Sequence, residues 1–456
     1  MTAPLSRLVC SGCGAEPDPS EAFPFRCPNA GTGDVDHVLR RELQLGALDF
    51  PPENREPNPF IRYRGLLHAS HLGLEDAGFR ALVARLDRRV AAVDGRGFTV
   101  TPFARSDELS ESLGLSAAGG VWVKDETGNV SGSHKARHLF GVLLYLEVAE
   151  RLGVADPRRR PDLAIASCGN AALAAAVIAA AGRRALRVFV PVDADPVVSA
   201  RLEELGAHVV ACPRDGAPGD PSYRRLLQAL DEGAVAFTCQ GNLNGLAVEG
   251  GQTLGWELAS SGVALDRLVV QVGGGALASA CVHAFREAAA LGAIPASPRI
   301  DTVQTEAAWP LKRAFDAVCE RRDLGYARTH RSEFMWPWEH EPHSIARGIL
   351  DDETYDWLAV VEGMLDTGGR PLVVGEETLE DANRLGRSAT GIDVDPTGSA
   401  GLAGLLALRD AGEIGDDERV AVLFTGVVRR DQTKEGSRDE KLSGTRHPVA
   451  QGLRAG

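Results

Sequence analysis

Lysine is nearly missing from this sequence. Of 49 basic residues only Lys124, Lys135, Lys312, Lys434 and Lys441 are lysine, and the rest are arginine. Such a bias tracks the nucleotide composition of a genome, so a lysine kept at an informative place draws attention. Positive charge is short overall. The balance of 49 − 63 gives −14 at pH 7, which argues against nucleic acid or an anionic membrane as the main partner. Long apolar runs are also lacking. The best candidate, Ala171 to Ala181, is far too short to span a bilayer. No basic-then-apolar segment opens the chain, so a cytoplasmic location is expected. The cysteines are Cys10, Cys13, Cys27, Cys168, Cys212, Cys239, Cys281 and Cys319. They are sparse for 456 residues and several fall in apolar patterns, so reduced thiols fit better than a disulfide framework.

What is present reads as an ordinary globular chain. An apolar fraction of 44% and a charged fraction of 25% place it there, and its length predicts two or three domains. Residues 1–60 are rich in Pro, Gly, Cys and acids, with helical period only near His37 to Leu45, and are expected to form an arm. Beyond about residue 62, helical patterns at Leu74–Val93 and His138–Leu152 are followed by short apolar runs alternating with helices. Asp162–Ser167, Leu186–Pro191, His208–Cys212, Arg267–Val272, Asp301–Glu306 and Arg419–Thr425 read as buried strands. This alternation predicts an α/β protein with parallel or mixed sheets flanked by helices. The polar segment 431–456 reads as a flexible tail.

Three loops carry candidate chemistry. In Lys124-Asp-Glu-Thr-Gly-Asn-Val-Ser-Gly-Ser-His-Lys135-Ala-Arg137, a small-residue turn delivers a lysine to the start of an apolar helix. Free N–H groups and the helix dipole suit an anion there. The same field and local desolvation favour a neutral, nucleophilic amine. The plainer reading is a solvated lysine. Ser167-Cys168-Gly169-Asn170 follows a strand and opens a helix; it suits a carboxylate, or is an ordinary N-cap. Gly273-Gly274-Gly275-Ala276 also joins strand to helix. Its glycines let backbone N–H groups approach a phosphate, or permit tight strand–helix packing. Together, in this order, the three loops favour the functional readings.

The same residues resemble the fold-type-II pyridoxal-phosphate enzymes, the tryptophan synthase β family, which includes threonine synthase, serine/threonine dehydratases, D-serine dehydratase and cysteine synthase. Asn129-Val-Ser-Gly-Ser-His134-Lys135-Ala-Arg137 stands at the family's lysine motif, Ser167-Cys-Gly-Asn170 at its Ser-X-Gly-Asn loop and Gly273–Gly275 at its phosphate turn. Glu249-Gly-Gly-Gln252-Thr253, Ser344-Ile-Ala-Arg347-Gly348-Ile, Asp395-Pro-Thr-Gly-Ser and Phe424-Thr425-Gly426 resemble further family segments in the correct order. The resemblance covers about residues 100 to 430. It implies that Lys135 carries the cofactor as a Schiff base and shuttles a proton. Asn170 would meet the ring hydroxyl, Gly273, Gly274, Gly275 and Ala276 the phosphate, and Thr425 the pyridine nitrogen, with Thr397 and Ser399 as rivals for that last place. His134 would touch the phosphate or merely pack; His138 reads as a surface histidine. Ser167, Cys168, Gly169 and Asn170 would face the substrate carboxylate, and Arg347 is the best cation for a substrate phosphate. The family's architecture implies a large domain at 61–124 and 245–430. A smaller mobile domain at 125–244 would carry the lysine and the Asn loop. The acidic-aromatic stretch Glu333–Glu341 departs from the pattern and either reshapes the pocket or packs on the surface.

Cys10-Ser-Gly-Cys13 with Cys27-Pro is a zinc knuckle short of a fourth ligand, with His37, Asp34 or Asp36 as candidates. A ribbon without metal is the other reading. Similar arms occur in many threonine synthases. The expected activity is elimination or replacement at Cβ or Cγ of an amino acid, threonine-synthase-like, with serine/threonine or D-serine deamination as the alternative. The small-molecule substrate would be the partner, and a homodimer is the family habit. A catalytically inactive interaction subunit and a nucleotide binder using the glycine turn are the other classes. The retained Lys135 weighs against the first, and the lack of a full Gly-X-Gly-X-X-Gly against the second.

Overall fold

The apolar runs become the strands of three sheets. A computed structural model describes residues 4–51, 56–216 and 219–429; the expected tail at 431–456 lies outside them. The largest sheet has six strands, β3 (Phe103–Ser106), β4 (Gly120–Asp125), β9 (Arg267–Gln271), β10 (Arg299–Thr305), β11 (Pro371–Val374) and β12 (Arg419–Phe424). Their order is β11-β10-β9-β12-β4-β3, parallel throughout except for the edge strand β3, which runs antiparallel to β4. Alternate residues feed different cores. Leu268, Val270, Ala421 and Leu423 pack on one face, and Val269, Val420, Val422 and Phe424 on the other. Two buried faces explain why these strands read as continuous apolar runs.

A second sheet, β7-β6-β5-β8, is fully parallel. It comprises β5 (Leu163–Ala166), β6 (Leu186–Pro191), β7 (His208–Cys212) and β8 (Val235–Ala236). The third is a hairpin in the N-terminal arm, β1 (Ser6–Cys10) paired antiparallel with β2 (Leu39–Leu43). The helical period expected near His37 to Leu45 is therefore overturned. Leu39 and Arg41 turn inward with strand alternation, and pairing to β1 satisfies the backbone that a free helix end would leave open.

The helix Lys135–Arg151 is buried almost all round. It crosses the helix Leu246–Ala259 at glycines: a Cβ on Gly250 would lie 2.3 Å from the Arg137 carbonyl oxygen, and one on Gly141 would lie 2.8 Å from Gly250 Cα. Its first turn is also fixed by charge. Arg137, fully buried, donates to Glu126 at 2.8 Å and to Glu257 at 2.6 Å. The buried Lys124 completes the group through Glu257 and the Thr101 carbonyl. Two cations balance two carboxylates, and the neighbouring acids hold Arg137 firmly charged. Removing one member of such a set costs about 3–5 kcal/mol. The Glu333–Glu341 stretch packs through its aromatics: the Arg313 guanidinium lies 3.7 Å from the Trp336 ring centroid and 5.1 Å from that of Trp338.

Candidate active site

Lys135 is the first residue of its helix, after a loop that no ordinary sequence would follow. Ser131 has φ 57° and Gly132 φ 68°, left-handed values that suit glycine and cost a serine energy. The loop is stitched to the end of β12. Ser133 bridges to Gly426, and the His134 N–H donates to the Thr425 carbonyl at 3.1 Å. The lysine motif and the closing Phe-Thr-Gly segment, nearly 300 residues apart, thus form one wall.

The glycine turn forms another. A Cβ on Gly273 would lie 2.2 Å from the Asp351 carboxylate, and one on Gly275 would lie 2.9 Å from Thr354. Thr354 Oγ1 donates to the Gly273 carbonyl at 3.0 Å, and the Asp356 N–H donates to that of Gly274 at 3.0 Å. The helix Ala276–Ala290 begins here without a side-chain cap, behind Gly275 at φ 96°. The Asp351 carboxylate lies against this turn, and the Gly274 backbone partly opposes the upward shift that burial gives it. Asp351 and Asp356 lie within electrostatic reach of Lys135. Burial pushes their carboxyls up to about 6 and about 7, while the lysine charge opposes the rise.

Thr425 is 3% exposed, and its hydroxyl accepts from Gln271 Nε2 at 2.8 Å. Its rivals have partners of their own. Thr397 Oγ1 accepts from the Gly348 N–H at 3.0 Å, and Ser399 Oγ accepts from Asn383 at 2.9 Å. Asn170 faces the same wall: its amide donates to Asp395 at 3.4 Å and accepts from Arg429 at 2.8 Å. In the loop 167–170, Ser167 and Gly169 are half-buried and Cys168 is exposed. Arg347, Asp193 and Asp220 all lie within electrostatic reach of Cys168. His138 is not on the surface as expected. It is fully buried against the helix Leu246–Ala259, its Nδ1 donating to the Ala247 carbonyl at 2.8 Å, because Gly251 leaves room for its ring.

Asp351, Asp356, Gln271 and Arg429 were not singled out from the sequence, and Asp395 only as the first residue of a family-like segment. Only Gln271, a polar residue closing the apolar strand RLVVQ, left a local signal.

These residues fit a phosphorylated, polar ring. His134 Nε2 and Ser133 Oγ are buried beside Lys135 without hydrogen-bond partners among the described residues. The uncapped helix start has N–H groups for an anion.

In the arm, Cys10, Cys13, Cys27 and His37 bring their ligand atoms within 4.8 Å of one another. Asp34 instead accepts from Ser332 at 2.7 Å, and Asp36 accepts from the Trp357 indole at 3.0 Å.

A fold of this kind, with a lysine at a helix start facing a glycine turn, defines a cofactor-dependent enzyme of the fold-type-II class. Residues 96–426 match the family of pyridoxal-phosphate dependent enzymes, and the chain belongs to that family. It is 25% identical over 333 residues to the threonine synthase of Methanosarcina acetivorans, covering 73% of this chain and 75% of that one. Among solved structures, the threonine deaminase of T.th. superposes with a TM-score of 0.56 at 25% identity, covering 77% of this chain and 98% of that one. Maize serine racemase superposes with a TM-score of 0.58 at 19% identity, covering 79% and 97%. No helix among the described residues is long and apolar enough to cross a membrane.

Proposed function

We propose that this protein catalyses elimination or replacement at Cβ or Cγ of an amino acid. The Gln271–Thr425 contact carries the reading. When bound, pyridoxal phosphate supplies an electron sink for the carbanion formed at Cα. Lys135 would hold it covalently and, once released, move the Cα proton. Gly273 to Ala276 would hold its phosphate, with His134 and Ser133 beside them. Thr425 already accepts from Gln271, so its own proton is free to point at a ring nitrogen lone pair. A neutral hydroxyl there does not keep that nitrogen protonated, which weakens the sink and favours prompt loss of a leaving group over transamination. Closure of a smaller domain, 125–244, would exclude water.

The threonine synthase relatives support γ-replacement on a phosphorylated substrate. A second reading, deamination of a hydroxylated amino acid, is favoured by charge. Asp193 and Asp220 near Cys168, with Asp351 near Lys135, oppose a phosphate side chain, and Arg347 is the cation identified against them. Offering the holoenzyme O-phosphohomoserine, L-threonine, L-serine and D-serine separately tests both. Inorganic phosphate with threonine supports the first reading. Ammonia with a keto acid supports the second. Turnover of none of them overturns both.

We also infer that the arm holds a zinc ion on the thiolates of Cys10, Cys13 and Cys27 and the imidazole of His37. Three thiolates and one imidazole suit a closed, structural tetrahedral site.

A further inference from the structure

Apart from the cofactor site, a cavity of about 240 Å³ opens where Arg96, Arg201 and Arg429 meet Asp94 and the Ser131–Gly132 turn. None of Lys135, Gly273–Gly275 or Thr425 lines it. The surrounding elements come from different parts of the chain. Arg96 follows the helix Asp76–Asp94, Arg201 sits on the helix Pro196–Glu204 beside the second sheet, and Arg429 follows β12.

Three guanidiniums line the cavity with one carboxylate, that of Asp94, which lies within electrostatic reach of all three; Asp395, outside the lining, also bears on Arg429. Asp94 is itself engaged, accepting from the Ser131 N–H at 2.9 Å. Arg201 has an exposed partner, Glu204, at 3.0 Å, a pair of the kind that contributes about 0–1 kcal/mol. Arg96 donates to the Gly128 carbonyl at 3.2 Å. Ser131 is 5% exposed, and its Oγ has no hydrogen-bond partner among the described residues. Several arginine forks around one space, in a chain of net charge −14, suit an oxyanion, and a phosphate offers them more acceptor oxygens than a carboxylate does. The volume is below the roughly 300 Å³ at which ordinary small-molecule pockets begin, which leaves room for a phosphate or a short phosphate ester but not for a nucleotide.

We propose that this cavity is an effector site for a phosphate group, free or carried as a small monoester. Arg429 links it to the cofactor site. The same guanidinium donates to the Ser131 carbonyl at 2.6 Å and to Asn170 Oδ1 at 2.8 Å. A phosphate in the cavity competes for Arg429 and releases the Asn170 amide toward the cofactor ring.

The test is equilibrium dialysis of labelled inorganic phosphate against the full-length holoenzyme, whose glycine turn is filled by the cofactor's own phosphate. Ionic strength is held constant with chloride. One saturable site per chain is expected, with a dissociation constant on the order of 1 mM. Arg201→Gln should weaken it at least tenfold, and Arg96→Gln likewise. Arg225→Gln, an arginine outside the cavity, should leave it unchanged. Glycerol phosphate run in parallel identifies the source: tighter binding than inorganic phosphate assigns a monoester, weaker binding the free ion. Phosphate should also shift the cofactor absorbance of the wild type and not of Arg201→Gln. Absence of a saturable site up to about 20 mM, or equal binding by Arg201→Gln and wild type, overturns the proposal. Arg201 is exposed on its helix, so matched melting curves exclude misfolding as the cause.

Discussion

Gln271 Nε2 donates to the Thr425 hydroxyl at 2.8 Å while surrounded by the carbonyls of Thr397, Gly398 and Leu423. Three carbonyls fix which end of the amide faces Thr425, so its two N–H groups are shared among them and the hydroxyl, which meets a donor and not the amide oxygen. Thr425→Val keeps the shape and removes the hydroxyl. With cofactor saturating, turnover should fall roughly 10- to 100-fold, or about 1.4–2.7 kcal/mol, and binding of the amino acid should change little. An unchanged kcat would remove Thr425 from the chemistry.

Lys135 is one of five lysines, and peptide mapping can therefore resolve it cleanly. Borohydride reduction of the holoenzyme should fix cofactor mass on the peptide containing Lys135. Lys135→Ala should show no such adduct and should lose at least about 10³-fold in turnover, since it removes both the covalent anchor and the proton carrier. An adduct on Lys124 or Lys312 instead would contradict the assignment.

His138 makes stability depend on pH. Burial and the nearby Lys135 charge press its imidazole down to about 3, and His68 and His283 are depressed to about 4 and about 3 for the same main reason, burial. An unfolded histidine takes its proton near 6.5. The stability that these neutral rings represent is therefore present above that pH and lost as pH falls through the window from 6.5 toward 3. Each histidine accounts for about 1.4 kcal/mol per pH unit below 6.5. Asp356 and Glu249, raised to about 7, work in the opposite sense, losing stability as pH rises. Comparing wild type with His138→Asn in urea at pH 7, 6 and 5 isolates the histidine. The variant should show the shallower loss, and parallel profiles would contradict the assignment.

The arm offers a choice between ligands. Metal analysis of the purified protein should give one zinc per chain, removed by a strong chelator with a drop in Tm. His37→Ala should lose the metal and Asp34→Ala should keep it, because Asp34 is occupied by Ser332. Metal retained by His37→Ala would show that His37 is not the fourth ligand.

What the sequence disclosed and what it hid follow from the range of the interactions. Strands such as Leu186–Pro191 and helix starts such as Asn170 could be read from apolar periodicity and glycine turns, and they stand within a residue or two of expectation. The placement of Lys135 and Gly273–Gly275 at helix starts was legible because local sequence sets that geometry. The His37–Leu45 stretch misled, because its inward-facing residues are set by pairing with β1 rather than by its own period. His138 looked exposed because the residue that hosts its ring, Gly251, is more than a hundred positions away. Asn170 meeting Arg429, and Asp351 meeting the glycine turn, are equally remote in the chain, and no spacing rule marks either pair.

Asp36, in the cysteine arm, accepts from the indole of Trp357, 321 residues further along the chain. Trp357 directly follows Asp356, whose N–H holds the Gly274 carbonyl. The arm is thus seated on a segment more than three hundred residues away. Because closing so long a loop is entropically slow to be rewarded, the arm should dock late in refolding. The glycine turn would then reach its final form only after the arm has found its distant partner.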